Sequence, residues 1–396
     1  MRVLLVHNSP NTGGGADIVF QESIDLLRSN KVSVFTLNCS RYIPETENSF
    51  YLRNYFGRDI SWPRKLIFFP LFFFNPFAYI KVLKIIKKIE PDLVHFHSYK
   101  GSLTSAAPMA AKRRKVKVFW TSHDYGLVDP HNLLLDGNLN ISLSTLQSPF
   151  AAVIDRSNRD SYLLSLFSFL EFSIDKWVLG QRMSFDSIVC VSKFQKRIYS
   201  GSKYAKNNFI VLHNFSRLES TYRSKRNGQN HLLFAGRDSR EKGLSSLLAV
   251  IKECPDVFLK IAGPSKPANM KDRNIEWLGR LSAEELEIEI LKCKYLVIPS
   301  RWHENNSLIL LEALSLGVPV ITSNLGGSPE IIVDGYNGYL FDINKEEDLF
   351  SVIDKAKNIN EIEYSIQCMN ARIHYEQNFS RYQHQIGLMK LYRAHV

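Results

Sequence analysis

Two groups of charged residues in the C-terminal half of the sequence have the types and spacing of a phosphate-binding site. Arg237 and Lys242 stand in one turn, Gly236–Gly243, directly before a predicted helix. A guanidinium and an ammonium beside a helix N-terminus form a site for a diphosphate. Glu304 precedes another predicted helix and Glu312 lies in its second turn. Their carboxylates could accept hydrogen bonds from vicinal hydroxyl groups, and the backbone amides between them could bind phosphate.

Each of these features also has a purely structural explanation. A charged turn such as Gly236–Gly243 is often only solvated. The carboxylate of Glu304 would be favoured by the positive end of a helix dipole, and Glu312 could simply face solvent. The hypothesis of a ligand site therefore depends on the two groups occurring together.

A glycine-rich loop at Asn11–Gly15 follows the predicted strand Arg2–His7 and leads into a predicted helix. Because glycine has no side chain, Gly14 and Gly15 would let the backbone approach a phosphate or a sugar closely. An ordinary glycine turn explains the loop nearly as well. The G-x-G-x-x-G spacing of dinucleotide-binding folds is absent, so the loop does not predict a dinucleotide site.

The elements that must position these residues follow a regular pattern. Short apolar runs alternate with helical patterns along the chain, which is typical of βαβ units and a parallel sheet. The pattern restarts at the strand His231–Ala235 after the polar stretch Glu219–Asn230. This predicts an α/β protein with two doubly wound domains, 1–213 and 214–375, and a terminal helix at 376–396 that packs back on the first domain. Ligands bind at the carboxyl ends of parallel strands, so two facing sheets would form one cleft.

The composition is that of a globular protein, with 45% hydrophobic and 22% charged residues among 396. General disorder, collagen and disulfide scaffolds are excluded. The five cysteines are scattered and form no zinc or thioredoxin-type motif, which favours a reducing compartment. The most apolar stretch, Leu66–Ile80, is broken by Pro70 and Pro76 and is shorter than the roughly 20 residues of a membrane-spanning helix. With no signal-peptide pattern at the start, the sequence predicts a cytoplasmic protein.

Several motifs in a fixed order resemble a known family. They are Gly236–Gly243, Glu304-x7-Glu312 followed by Ala313–Ile321, and Gly326–Ile332. Together they closely resemble the retaining glycosyltransferases of family 4, the group 1 glycosyltransferases, which have the GT-B fold. The resemblance is densest over residues 230–342, and several motifs in order are far more specific than a single Glu-x7-Glu. It implies an enzyme that moves a sugar from a nucleotide diphosphate sugar to an acceptor hydroxyl.

The resemblance implies roles for the residues of the second domain. Arg237 and Lys242 would neutralise the diphosphate of the donor. Glu304 would contact the transferred sugar, and Glu312 would bind the nucleotide ribose. Backbone amides near three residues would bind the phosphates: Asn306, Ser307 and Leu308. The family often has proline at position 307, but serine can still cap a helix.

In the first domain the resemblance implies that Gly14 and Gly15 close over the donor. His123 follows the predicted strand Val116–Ser122, and a histidine at this strand end in the family lies beside the donor sugar. A histidine at a strand end that faces a cleft is more often functional than a histidine elsewhere in a protein. His123 is therefore expected to be catalytic, together with Glu304. Three residues near strand ends are expected to bind the acceptor: His97, Ser98 and Tyr125. His95 is expected to lie within the sheet.

Retention of configuration ordinarily suggests a carboxylate nucleophile, and the sequence offers no convincing one opposite the donor. The resemblance implies front-face transfer, in which the leaving diphosphate takes the acceptor proton while the protein stabilises its charge. Arg237 and Lys242 would then contribute most to catalysis. No Asp-x-Asp motif occurs at a plausible strand end, so neither a metal nor another cofactor is expected. Uridine diphosphate is the first expectation for the nucleotide and guanosine diphosphate the second.

Three alternatives stay open at this stage. A sugar-nucleotide epimerase of the same fold fits the two-domain pattern but not the close match of Gly236–Gly243 and the glutamate pair. A non-catalytic basic protein that binds nucleic acid or membranes fits the charge. Residues 112–117 form the only dense basic cluster, however, and no nucleic-acid motif accompanies it, so no nucleic-acid partner is expected. A catalytically inactive binding subunit is disfavoured by the intact motifs.

The charge distribution predicts an anionic surface as a partner. The net charge is +11, and residues 1–206 hold 27 basic against 16 acidic residues, whereas the remainder is balanced. The segment Arg64–Phe74 concentrates aromatic residues beside basic ones. The following helix, Phe77–Ile89, carries four lysines: Lys81, Lys84, Lys87 and Lys88. This pattern is typical of interfacial membrane binding, although the helix could equally bury its apolar face in the core. We therefore expect a peripheral protein on the inner face of the plasma membrane. Its acceptor would be a polyprenyl-diphosphate-linked saccharide of a bacterial surface polysaccharide pathway.

Overall fold

A computed structural model describes residues 1–8, 14–39, 46–56, 61–178, 185–202, 208–218, 231–237, 239–267 and 273–395. Gly13, Asp238 and the stretch 219–230 lie outside this description. The chain forms two compact units. Unit 1 comprises Met1–Asn138, Ser142–Leu212 and Gln385–Val396, and unit 2 comprises Leu139–Ile141 and His213–His384. The division into an acceptor-binding domain 1–213, a donor-binding domain 214–375 and a returning segment 376–396 stays a prediction.

Unit 1 is built on a seven-stranded parallel sheet. Its strands are β1 Arg2–His7, β2 Ser33–Asn38, β3 Ser49–Tyr51, β4 Leu93–Ser98, β5 Lys117–Ser122, β6 Ser187–Cys190 and β7 Phe209–Val211. Their order is β3-β2-β1-β4-β5-β6-β7. The chain thus winds outward from β1 in both directions, and the reversal brings the carboxyl ends of β1 and β4 together at a switch point.

Helices cover this sheet. They are α1 Gly15–Ser29, α2 Trp62–Ile67, α3 Pro70–Phe73, α4 Pro76–Ile89, α5 Ala106–Arg113, α6 Ala151–Ile154, α7 Tyr162–Ser173 and α8 Lys193–Gly201. A π-helical turn, Ile174–Val178, follows α7. Asn75 caps α4 by accepting hydrogen bonds from the amides of Phe77 and Ala78. The fixed φ of proline suits the first turn of a helix, which is why Pro70 and Pro76 begin α3 and α4 rather than preventing helices in the aromatic run.

Unit 2 repeats the plan with six parallel strands. They are β8 His231–Ala235, β9 Phe258–Ala262, β10 Ile275–Gly279, β11 Tyr295–Ile298, β12 Val320–Ser323 and β13 Gly338–Phe341, in the order β10-β9-β8-β11-β12-β13. Its helices are α9 Leu244–Glu253, α10 Ala283–Lys292, α11 Leu308–Ser315, α12 Ser328–Ile331, α13 Glu346–Asn358 and α14 Glu361–Asn378. The last helix, α15 Arg381–Arg393, begins in unit 2 and ends in unit 1.

Each unit has its own apolar core on the faces of its sheet. Buried residues of β1, β4, β5 and α4 form the core of unit 1, and those of β8, β11, α9 and α11 form two clusters in unit 2. The structure confirms the predicted pair of doubly wound parallel-sheet domains. Within the described residues, no helix is long and apolar enough to cross a bilayer.

Candidate active site

Two loops at the carboxyl edge of the second sheet, those after β8 and β11, pack closely against each other at Gly243. Gly243 follows a 3₁₀ turn, Arg240–Lys242, and has a φ of +71°. A Cβ atom there would overlap the carbonyl oxygen of Pro299, at the end of β11. Gly243 therefore holds the turn that carries Lys242 against the loop that carries Glu304, because no other residue permits so close an approach.

Lys242 and Glu304 form the centre of this edge. The Lys242 Nζ lies 2.6 Å from Oε1 of Glu304, and the buried Ser300 hydroxyl donates to the same oxygen at 2.6 Å. The ammonium also lies 5.5 Å from the ring centroid of Trp302. Burial alone raises the pKa of Glu304, but the charge and hydrogen bond of Lys242 outweigh burial, so the pKa is lowered. The pair is thus a buried carboxylate held ionised by a cation.

Arg237, the other predicted cation, is in a different environment. Its side chain is 80% exposed, and its guanidinium lies 3.9 Å from the carboxylate of Glu241 in the same turn. An ion pair this long, with its cation in solvent, contributes little to stability. The structure therefore brings Lys242 to Glu304 and leaves Arg237 in solvent, where its long side chain can still turn toward a ligand.

Glu312 is buried in α11, not solvent-facing. Its carboxylate lies 3.4 Å from Nε of Arg217, and its side chain is 6% exposed. Burial raises the pKa of Glu312 to about 7, although the charge of Arg217 opposes the shift. The carboxyl group thus changes charge near neutral pH. Arg217 precedes unit 2's first strand and belongs to no motif, so no sequence signal pointed to it.

The start of α11 lies between the two glutamates. Ser307 occupies the N-cap position, but its side chain makes no capping hydrogen bond. The amides of the first turn, including that of Leu308, have no acceptor within the helix. Asn306 accepts a hydrogen bond from the Asn214 amide at 3.1 Å and anchors the preceding loop. The predicted phosphate-binding amides therefore stand at a real helix N-terminus.

A second polar site lies in unit 1, where β1, β4 and β5 end. A cavity of about 260 Å³ is lined by several of the predicted residues and their neighbours, among them His7, Asp17, His97, Ser98, Lys100 and His123. Nε2 of His123 lies 3.3 Å from Nδ1 of His97, and the two rings stack with centroids 5.5 Å apart. The predicted residues His97, Ser98 and His123 therefore share one cavity.

His7 and Asp17 were not singled out from the sequence. Nε2 of His7 lies 3.3 Å from Oδ1 of Asp17, while Oδ2 accepts a hydrogen bond from the Gly14 amide at 3.1 Å. Burial lowers the pKa of His7 to about 4, against the charge of Asp17. Gly14 is the N-cap of α1 and Gly15 its first residue. The sequence did offer one signal for Asp17: it lies three residues after the N-cap, where a carboxylate can accept a hydrogen bond from the N-cap amide.

The remaining N-terminal candidates are deeply buried. His95 is fixed on both ring nitrogens, with Nδ1 2.6 Å from the Tyr392 hydroxyl and Nε2 2.7 Å from Oγ1 of Thr121. Tyr125 is fully buried in the core, where its ring packs against Phe194. A ligand could reach Tyr125 only after a rearrangement, so its position weighs against the predicted acceptor contact.

Comparisons with known proteins agree with this architecture. Residues 13–219 match the family described as Glycosyltransferase Family 4, and residues 218–370 match the family described as Glycosyl transferases group 1. The chain belongs to the group 1, family 4 glycosyltransferases. This confirms the family that the Glu304-x7-Glu312 motif and its neighbours predicted.

Relatives of this glycosyltransferase chain differ in sequence identity and in how much of each chain is covered. An uncharacterised glycosyltransferase of Methanocaldococcus jannaschii is 35% identical over 185 residues, 45% of the chain and about half of the relative's length, 51%. A 42.6 kDa protein from the cps region of Klebsiella pneumoniae is 24% identical, covering 84% of the chain and 87% of the relative. Phosphatidyl-myo-inositol mannosyltransferase of Mycobacterium tuberculosis is 21% identical, covering 62% and 67%.

Solved structures match over the whole length and establish the GT-B fold. Sucrose-phosphate synthase from Thermosynechococcus elongatus has a TM-score of 0.71 at 16% identity and covers 100% of the chain and 99% of its own. The Anabaena HepE protein in complex with UDP-glucose has a TM-score of 0.65 at 14% identity and covers 99% of both chains. Sequence identities this low establish a shared fold but not a shared substrate.

Proposed function

We propose that the protein is a retaining glycosyltransferase that moves a sugar from a nucleoside diphosphate, with uridine diphosphate preferred, to an acceptor hydroxyl. The observation that carries this proposal is the 2.6 Å contact between Lys242 and Glu304 beside the N-terminus of α11, with Glu312 one turn further on. Cation, helix amides and two carboxylates match the diphosphate and the hydroxyl groups of such a donor.

On this proposal Lys242 neutralises the leaving diphosphate together with the α11 amides, and Arg237 adds a second, mobile cation. Charge that develops on the leaving group is then stabilised by cations and amides that are already in place. Glu304 orients hydroxyl groups of the transferred sugar, and Ser300 holds it in place. Glu312, once ionised, accepts hydrogen bonds from the ribose.

The proposed transfer takes place on one face of the sugar. The bond from the acceptor oxygen to the anomeric carbon forms as the bond from that carbon to the diphosphate oxygen breaks, and the acceptor proton passes to the diphosphate. Glu304 already shares Oε1 with Lys242 and Ser300, which suits it to orient the sugar rather than attack it. The proposal keeps His123 as a catalytic residue, as the family resemblance implies.

The acceptor is proposed to bind in the unit 1 cavity, where His97, Ser98 and His123 can donate and accept hydrogen bonds with hydroxyl groups. A lipid-linked saccharide, carried on polyprenyl diphosphate at an anionic membrane, fits the positive charge of residues 1–206. A relative from a cps region and a relative named phosphatidyl-myo-inositol mannosyltransferase support a surface polysaccharide or glycolipid pathway.

A donor and acceptor screen tests the proposal. The protein is incubated with a panel of nucleotide sugars, and transfer is measured to free and to polyprenyl-diphosphate-linked saccharides. Lys242→Ala is expected to lower turnover about 100-fold or more because one diphosphate charge is lost. Lys252→Ala, an exposed lysine in the same unit, is the matched control and should keep full turnover. Near-normal turnover of Lys242→Ala would reject its role, and no transfer from any donor would reject the function.

A further inference from the structure

Helices α6 and α7 of unit 1 expose an unusual amount of apolar surface. Tyr162, Leu163 and Phe167 are 63%, 62% and 42% exposed, and Ile154 of α6 is 64% exposed. Further exposed apolar residues on the two helices and their flank are Phe150, Leu164, Leu166 and Leu170. Over its twelve residues α7 carries one charged side chain, Glu171. We call these eight exposed residues the α6–α7 surface; an apolar patch of this kind on a folded protein marks a contact with something else.

The α6–α7 surface continues onto the aromatic segment of the same unit. The ring of Phe69 lies 6.1 Å from that of Phe167, edge to face. Tyr55 lies between the rings of Phe68 and Phe77, at 5.0 and 6.0 Å. Ile67, Phe69, Phe77 and Ile80 are all exposed as well. The α6–α7 surface therefore meets the aromatic segment at Phe69, and further exposed apolar residues follow in α2 and at the start of α4.

Positive charge borders this patch. In α4 the buried face consists of Ala78, Val82, Ile85, Ile86 and Ile89. Helical periodicity places Phe77 and Ile80 on the opposite face, and the lysines on that same face are Lys81, Lys84, Lys87 and Lys88. Arg64 and Arg159 are exposed near the ends of the patch. Asp160, at the start of α7, is paired with Arg156 at 3.2 Å.

We propose that the α6–α7 surface inserts into the interfacial layer of an anionic lipid bilayer. An apolar patch bordered by cations matches a layer of acyl chains beneath anionic headgroups. At twelve residues α7 is too short to span a bilayer, so it lies in the interface. The inference rests on the proposed lipid-linked acceptor. It also refines the prediction for the segment Arg64–Phe74: its residues Phe72, Phe73 and Phe74 are partly buried, whereas Phe69 and α7 are exposed.

Co-sedimentation with vesicles tests this surface. Vesicles of phosphatidylglycerol and phosphatidylcholine are compared with phosphatidylcholine alone, at low and high salt. Wild-type protein is expected to bind the anionic vesicles and to release with salt. Leu163→Ser with Phe167→Ser should lower the partition constant about tenfold or more, since two exposed apolar side chains are lost. Ile362→Ser with Ile366→Ser, 75% and 47% exposed in α14 of unit 2, is the matched control and should bind like wild type.

Further readouts separate this inference from the proposed function. Circular dichroism checks that the variants fold, and Ile67→Ser with Phe69→Ser provides a second variant of the same patch. Transfer to a water-soluble acceptor should be unchanged in the two patch variants and in the α14 control. Loss of vesicle binding with unchanged transfer therefore supports the proposed membrane contact. Unchanged binding of both patch variants would overturn it. So would a wild-type dimer in sedimentation velocity that Leu163→Ser/Phe167→Ser converts to monomers, with no vesicle binding.

Discussion

At the scale of single residues, Glu304 and Glu312 show how similar carboxylates acquire different chemistry. Both are buried, and burial by itself raises the pKa of each. Lys242 touches Glu304 at 2.6 Å and reverses the effect, whereas Arg217 lies 3.4 Å from Glu312 and only opposes it. Glu304 is therefore ionised throughout the physiological range, and Glu312 titrates at about pH 7.

Nucleotide binding should therefore depend on pH through Glu312. A ribose hydroxyl donates to a carboxylate, so the affinity for uridine diphosphate should rise as the pH increases from about 6 to 8. Glu312→Gln should bind uridine diphosphate more weakly than wild type at pH 8, and its affinity should not rise with pH. Glu304→Gln should lower the affinity for uridine diphosphate less than Glu312→Gln does. Calorimetric titration across this pH range measures both. An equally steep pH dependence in Glu312→Gln would assign the titration to another group.

The same carboxyl group should lower stability. Its folded pKa lies above its ordinary value of 4.5, so ionisation destabilises the fold as the pH rises from about 4.5 to about 7. Well above pH 7, Glu312→Gln should raise the free energy of unfolding by an amount on the order of 3 kcal/mol. Below pH 4 the two proteins should unfold alike. Denaturant titrations at pH 4 and pH 8 provide the comparison, and equal stability at pH 8 would contradict the burial argument.

The motif spacing was enough to predict that Lys242 and Glu304 lie close together, because both follow strands whose carboxyl ends share one edge. Ser300 and Arg217 were not predicted. Ser300 lies close to Glu304 in the chain but has no distinctive type. Arg217 reaches Glu312 from a distant segment, and sequence alone does not show which side chains meet across a fold.

At the scale of elements, the loops of the second sheet are held by close backbone contacts. Gly326 has a φ of +63°, and a Cβ there would collide with the carbonyl oxygen of Glu304. The amide of Gly327 donates to that same carbonyl at 2.6 Å. The loop after β12 thereby fixes the backbone from which the Glu304 side chain projects.

Gly326→Ala should consequently disturb the site and the fold together. Gly335 offers a matched control, because its φ of +73° is similar but a Cβ there meets nothing within 4 Å. Gly335→Ala should cost about 1 kcal/mol from the left-handed backbone alone. Gly326→Ala should cost about 1–3 kcal/mol more from crowding and should also lower turnover. Thermal unfolding measures the stability of both variants, and steady-state assays measure their turnover. Equal effects of the two substitutions would contradict a role for the close contact at Gly326.

Prediction from the sequence was good for buried strands and poor for short or edge elements. Buried strands such as β8 and β11 are continuous apolar runs, which identify them. The edge strand β10 mixes Ile275 and Trp277 with exposed Glu276, so no pattern indicated it. In α7 the apolar residues lie on all sides, and periodicity does not distinguish a buried apolar helix from one that is exposed.

At the scale of the whole molecule, the chain leaves unit 1 at Leu212, builds unit 2, and ends in unit 1 again. Tyr392 of α15 is fully buried there and contacts His95 through its hydroxyl. The ring of His95 lies 4.9 Å from that of His97, which lines the unit 1 cavity. The end of the chain therefore supports the orientation of a residue proposed to bind the acceptor.

Tyr392→Phe should reveal this support. It removes the buried hydrogen bond between the Tyr392 hydroxyl and Nδ1 of His95, and the loss of a typical hydrogen bond costs about 0.5–1.5 kcal/mol. We expect a lower thermal midpoint and a raised KM for the acceptor, because one of the hydrogen bonds that orient His95 beside His97 is lost. The affinity for uridine diphosphate should not change, since Lys242 and Glu312 belong to unit 2. Tyr382→Phe, 64% exposed in the same helix, is the control and should match wild type. A weaker nucleotide affinity with an unchanged acceptor KM would show that α15 acts elsewhere.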